Sequence, residues 1–425
     1  MSEQRNIIIL GASFAGIGST HYILTHLLPA LNAQHEAKYH LYIISPSPDF
    51  YYRIGSPRTA TSTSLLPQEK LFYPLADAFK RYPASDFTLI QATATSLDTN
   101  GRFVCFKRHD SSTTEEESLP YHALIVATGS RTPHPAYSMH TSTEATKIAI
   151  KETNTRVKFA KSIIIVGGGP TGVEAAGEIG EFLNGKPGWF STPTPKVDIT
   201  LITADSLLLP ALRPAIGKEA ERQLGKLGVK VLYDRRVVDV STLKSNSEDE
   251  KTILTLSKGE KLETDLYIPA HGVLPNSEWL PKNLLNEKGY LETNKSTLRV
   301  DRAGPLIYAL GDVASYSRNN ALDISDALPT LMINLKRDLL SYSPSTPNAT
   351  IKGRDRVFQP LMKETQFVPI GSGGGVGAAF GWRVPSWMVW LAKGRDYMLG
   401  MAVPGYVEGS NFKKEHKWSV DEAVV

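Results

Sequence analysis

The sequence predicts an α/β fold: two Rossmann-like halves, each a parallel sheet with helices, then a smaller C-terminal α+β domain. Three observations predict it. A short apolar strand followed by a glycine-rich turn and a helix-compatible stretch occurs twice. Each copy closes on a further apolar strand that runs into a glycine. A third apolar strand ends in Gly311-Asp312.

In the first copy Ile7-Ile8-Ile9-Leu10 leads into Gly11-Ala12-Ser13-Phe14-Ala15-Gly16, with a helix expected from Ile17. In the second, Ile163-Ile164-Ile165-Val166 leads into Gly167-Gly168-Gly169-Pro170-Thr171-Gly172, with a helix expected over Val173–Phe182. The second matches G-x-G-x-x-G in full; the first carries Ser13 at the middle position. The opening glycine permits the tight turn, and the small middle residue lets the backbone approach a pyrophosphate. The last glycine lets helix pack on strand. The pyrophosphate then sits on backbone N–H groups at the positive end of a helix. Glycine turns also serve ordinary strand–helix corners, so one copy alone is weak; two copies with matching ends point to two dinucleotide-binding halves.

The closing strands are Leu124-Ile125-Val126-Ala127-Thr128-Gly129 and Leu266-Tyr267-Ile268-Pro269-Ala270-His271-Gly272. Before each lies a hairpin-like stretch with an acidic, Ser/Thr-rich tip, Asp110–Glu117 and Ser245–Lys251, read as solvated loops. In Leu306–Val313, Asp312 stands at a strand end. It can accept a hydroxyl hydrogen bond from a bound polyol, or cap the following helix, and the two readings are compatible.

Composition bounds the function. With 425 residues the chain has room for two or three domains, and 41% hydrophobic with 21% charged residues is a globular balance. A net charge of +4 is no basic footprint, so no nucleic-acid partner is expected. The single cysteine, Cys105, excludes an internal disulfide, a Cys-x-x-Cys pair and any multi-cysteine metal site, and no metal site is expected. The N-terminus shows no apolar signal core, and Ser2 replaces the glycine that myristoylation needs. The late apolar stretch from Ala378 to Ala392 would span about 22 Å as a helix, short of a roughly 30 Å hydrocarbon core. It carries Trp382, Trp387, Met388 and Trp390 beside Arg383, Lys393 and Arg395. Two readings stand: an interfacial membrane helix, or an aromatic-rich core or dimer-contact segment. The expected location is cytoplasmic or peripheral to a membrane.

Together the two glycine motifs, Ala127-Thr128-Gly129, Gly272–Asn276, Gly311-Asp312 and Lys393-Gly394-Arg395-Asp396-Tyr397 resemble the two-dinucleotide-binding-domain flavoproteins. Within them the chain is similar to the apoptosis-inducing-factor-like proteins of the ferroptosis-suppressor type and their fungal homologues. It is more distantly similar to type II NADH dehydrogenases. The resemblance covers nearly the whole chain and implies FAD at the first motif and NADH or NADPH at the second. It places Gly11, Ser13, Phe14, Ala15, Gly16, Ser45, Arg58, Ala94, Ala127, Thr128, Gly129, Gly311 and Asp312 at the FAD. It places Gly167, Gly169, Pro170, Thr171, Gly172, Thr203 and Gly272 at the nicotinamide cofactor. Glu174 matches a family glutamate beside the nicotinamide–flavin contact, and Lys393 a late lysine near the flavin and acceptor. The plain alternatives are a helix-start carboxylate and a surface lysine. The implied organisation is an FAD-binding domain at 1–135 and 268–345, a nicotinamide domain at 136–267 and a C-terminal domain at 346–425. The last follows the Ser341–Pro347 linker.

The sequence departs from the pattern at three positions. The second strand ends at Ser45, where a ribose-binding carboxylate is expected, and its counterpart ends at Thr203. Arg213 is the nearest cation for a 2′-phosphate, and His271 replaces a common threonine, as a packing residue or a titrating neighbour of the nicotinamide. Electrons that reach the flavin cannot pass to a dithiol, so a diffusible acceptor such as a quinone is expected. The alternatives are a specialised biosynthetic substrate, or a cofactor-sensing interaction protein with little turnover. A homodimer and a membrane contact through the aromatic segment are the expected assemblies.

Overall fold

A computed structural model describes residues 4–34, 37–109, 115–188, 194–244, 250–341 and 353–422. The loop tips at 110–114 and 245–249 and most of the Ser341–Pro347 linker lie outside the described residues. The four aliphatic residues Ile7 to Leu10, buried on both faces, belong to the strand Gln4–Leu10 in the interior of a seven-stranded sheet. It pairs in parallel with Lys38–Ser45 on one side and Ala123–Val126 on the other. Runs without polar alternation are what a sheet covered on both faces requires. Phe87–Asp98 continues the sheet in parallel, and a meander of Phe103–Arg108 and Glu116–Pro120 extends it.

The chain then leaves this sheet and builds the second copy. Ser162–Val166 pairs in parallel with Asp198–Ile202 and Leu266–Pro269, and Val229–Leu232 completes the four strands. An antiparallel sheet of Val237–Lys244, Glu250–Leu256 and Lys261–Thr264 precedes the closing strand. The chain returns to the first sheet at Ile307–Ala309, which lies beside Ala123–Val126. Both glycine-turn helices start earlier than expected, at Phe14 and Pro170, directly on the turns. Asp312 caps no helix, since the next one, Ala321–Ser341, begins nine residues later.

The aromatic segment is not one helix. Gln366–Pro369, Gly375–Ala379 and Trp382–Arg383 form a small antiparallel sheet, followed by a short helix, Ser386–Val389, and a wide turn, Trp390–Gly394. Pro385 sets the break between strand and helix. Trp382, Trp387 and Trp390 are 79%, 61% and 40% exposed, which removes the core reading. No helix among the described residues is long and apolar enough to cross a membrane.

The tail folds back on the first half. The segment 403–416 packs along Phe14–Tyr22 and the wide turn Ile23–Leu27 that extends it. His21, wholly buried, lies 2.9 Å from the Tyr82 hydroxyl and 3.2 Å from the Val407 carbonyl; His26 Nε2 reaches the Phe412 carbonyl at 2.8 Å. Burial, with the nearby Arg81 cation, lowers the His21 pKa to about 4. A neutral His21 therefore favours the fold above its ordinary pKa, and that contribution is lost as pH falls from about 6.5 to about 4. Wild type should lose up to about 3 kcal/mol more stability than His21→Gln across that window. Urea denaturation at several pH values measures it, and parallel curves would contradict it.

Candidate active site

The first glycine turn opens into a cleft of about 370 Å³ at the C-terminal ends of the central strands. Gly11, Ser13, Phe14, Ala15, Ser45, Ala94, Ala127, Thr128, Gly129 and Asp312 all line it. The cleft is shaped for a bound group. Gly11 has φ +97°, and a Cβ there would sit 2.4 Å from the Ala127 carbonyl oxygen. A Cβ on Gly16 would come within 1.8 Å of the Gly11 oxygen, so this residue brings helix and strand together. Ser13, the helix N-cap, spends its side chain on no capping bond and leaves its hydroxyl to the cleft. At the far end Asp312 accepts from Ser130 Oγ at 2.9 Å, and Arg53 donates to the Ser130 carbonyl at 3.0 Å. These features fit a dinucleotide: backbone donors for the pyrophosphate and a carboxylate for a polyol.

The second turn repeats the geometry. A Cβ on Gly167, φ +134°, would meet the Ala270 oxygen at 2.3 Å, and one on Gly172 the Gly167 oxygen at 1.9 Å. A Cβ on Gly169 would meet nothing within 4 Å. Internal packing does not require glycine there, as expected where the backbone faces a ligand. Thr203 is buried, and its hydroxyl accepts from the Asp205 amide at 3.2 Å. Arg213 is engaged by Glu364, at 2.6 Å, and by the Gly381 carbonyl. His271 is exposed, not packed, with Nε2 3.2 Å from the Tyr267 hydroxyl. Gly272 has φ +70°.

Between the two halves lies a buried knot of charge. Arg58, on the short helix Ser56–Thr61, forms a two-pronged pair with Glu178 at 3.0 and 2.8 Å and donates to the Gly394 carbonyl at 2.8 Å. Glu174, one turn earlier on Pro170–Asn184, pairs with Lys393. The Tyr397 hydroxyl donates to Glu178 at 3.0 Å, and the Arg58 guanidinium lies 4.7 Å over its ring. Burial raises the Glu174 pKa, against the opposing Lys393 charge. Neither pair is solvent-exposed: the four side chains range from 3% to 13% exposed.

A model of the pyridine nucleotide-disulphide oxidoreductases matches residues 5–332. The chain belongs to that family. It is similar to oxidoreductase phnG of Penicillium herquei, 41% identical over 94% of this chain and 95% of that one. It is also similar to human ferroptosis suppressor protein 1, 27% identical over 94% and 95%. NDH2 of Plasmodium falciparum, solved in complex with NADH, shares the fold with a TM-score of 0.64 at 16% identity, over 95% and 99% of the chains. As a pyridine nucleotide-disulphide oxidoreductase, the chain is an FAD-dependent oxidoreductase that uses NAD(P)H.

Arg58 does not line the cleft where it was expected; Glu178 claims its guanidinium, and Arg53, five residues earlier in the chain, lines the cleft instead. Lys393 is no surface lysine, because Glu174 holds it inside. Sequence reasoning missed Asp49, Ser130, Arg131, Asn276 and Trp279 on the cleft wall, and Glu178 and Tyr397 in the knot. Tyr397 closes the Lys393–Tyr397 run and so had a signal; Glu178 had only its helical spacing from Glu174. Breaking one partner of a buried pair costs about 3–5 kcal/mol. Lys393→Met should therefore cost that much at pH 8 and less at pH 5, where the Glu174 carboxyl, its pKa already raised by burial, takes up a proton. Thermal unfolding at the two pH values checks this, and an equal loss at both would contradict it.

Proposed function

We propose that the chain oxidises NADH or NADPH and delivers the two electrons to a quinone that diffuses in. FAD, held at the first turn, supplies the two-electron relay between nicotinamide and acceptor. The chain's residues supply placement: the two glycine turns seat the pyrophosphates, and Asp312 with Ser130 positions the polyol chain. Glu174, on the nicotinamide-side helix, pairs with Lys393 from the C-terminal turn, where a charged pair can steady charge that moves during transfer. Overall, NAD(P)H, a proton and quinone become NAD(P)⁺ and quinol.

The observation that carries this reading is the position and number of the thiols. The chain has one cysteine, on the meander strand Phe103–Arg108, and it does not line the cleft. A protein dithiol cannot receive the electrons. The exposed Trp382, Trp387 and Trp390 stand on the stretch that leads into Lys393, and exposed aromatic side chains there fit a lipid surface or a hydrophobic acceptor. A second reading, a specialised small-molecule substrate, draws support from the 41% identity to oxidoreductase phnG, against 27% to human ferroptosis suppressor protein 1.

The purified protein should be yellow and should oxidise NADH or NADPH at least about tenfold faster with a short-chain quinone than without one. Flavin-loaded protein without quinone-stimulated turnover would overturn the proposal. Gly16→Val, whose side chain has no room beside the Gly11 carbonyl, should lose most of its FAD, read as the visible-to-ultraviolet absorbance ratio. Full retention would remove the first turn as the FAD site.

A further inference from the structure

We propose that Asp49 holds the adenosine ribose of the flavin cofactor, in place of the carboxylate missing from the end of the second strand. This rests on the reading that the first cleft takes FAD. In dinucleotide-binding folds an acidic residue at that strand end accepts hydrogen bonds from ribose hydroxyls. Here the strand ends at Ser45, whose hydroxyl is spent on the Ser47 carbonyl at 2.9 Å.

The sheet order says on which side the ribose falls. The pairing Leu10↔Ile44 sets Ser45 beside Gly11, and Ser45↔Gln91 sets the next wall at Ala92–Ala94. Ser130 and Asp312 stand on the opposite side, past Ala123–Val126. A dinucleotide with its pyrophosphate on the turn and its polyol at Asp312 must put its adenosine on the Ser45 side. Asp49 lines the cleft on that side, four residues past the strand end.

Its carboxylate is fixed through one oxygen and free at the other. Thr143 Oγ1 donates to Oδ2 at 2.8 Å, and Thr143 is itself bonded to Ser47 Oγ at 2.7 Å. The Asp49 amide donates to Ser47 Oγ at 3.0 Å, which fixes the backbone. Among the described residues no lysine or arginine pairs with Asp49, and Oδ1 has no hydrogen-bond partner. Of the other two carboxylates on the cleft wall, Asp312 stands at the polyol end with Ser130, and Glu278 is engaged by Arg131 and stands 64% exposed. Asp49 is therefore a positioning residue: it fixes the adenosine end so that the flavin end is held in register.

The test uses the full-length apoprotein, titrated with FAD and with FMN, which lacks the adenosine, and follows flavin fluorescence. Asp49→Asn keeps the size and the Thr143 contact but removes the charge. Its Kd for FAD should rise about 10- to 100-fold, as for loss of a charge-assisted hydrogen bond, with FMN unchanged within about twofold. Wild type should lose a similar factor for an FAD analogue without the ribose hydroxyls, and Asp49→Asn should lose little more. An unchanged FAD affinity in Asp49→Asn, or an equal loss for FMN, overturns the proposal alone. A wild type that binds FAD no better than FMN overturns the reading of the cleft, and the proposal with it.

Discussion

Two carboxylates, an arginine and a lysine share one buried seam, and the arrangement of the molecule depends on their mutual satisfaction. Arg58 comes from the first half, Glu174 and Glu178 from the second, and Lys393 and Tyr397 from the C-terminal segment. Buried ion pairs add little net stability over apolar residues of the same size, because desolvation offsets their attraction. Their effect is selective: any other docking of the three segments leaves a charge buried alone. The C-terminal chain accepts strain to reach this arrangement, since Tyr397 and Met398 both have left-handed backbones, φ +54° and +66°. The Tyr52 hydroxyl, donating to the Tyr397 carbonyl at 2.8 Å, holds that turn from the first half.

This seam also links stability to chemistry. Glu174 and Glu178 lie on the helix that begins at the second glycine turn, so fixing that helix fixes the turn. The same chain that delivers Lys393 to Glu174 carries the exposed tryptophans just before it. One short stretch thus faces the buried charges on one side and solvent on the other. On the proposed function this is where an acceptor arrives, and the lone cysteine, which does not line the cleft, offers no dithiol route inside the chain.

The parts legible in the sequence are those whose causes are local. A glycine turn is needed because a Cβ at Gly11, Gly16, Gly167 or Gly172 would strike a backbone oxygen, and the apolar runs record strands covered on both faces. The doubled fold was therefore readable from short windows. Arg58 was not, because its partner Glu178 is distant in sequence and only the folded packing shows that the guanidinium is spent. The tryptophans were equally ambiguous: composition does not say that the stretch breaks into strand, helix and turn, or which side of each faces solvent. Asp49 lay hidden because the expected carboxylate position is a strand end, and the loop that carries it forward is set by Ser47 and Thr143.

The central claim is that the flavin is the chain's one redox centre and that its electrons leave with a diffusible molecule. Anaerobic titration of the FAD-loaded protein with dithionite, counted per flavin, tests this most directly. The account predicts full reduction with two electrons per FAD, and return of the oxidised spectrum when a quinone is added. Uptake of four electrons per FAD, the signature of a second two-electron centre, would contradict it.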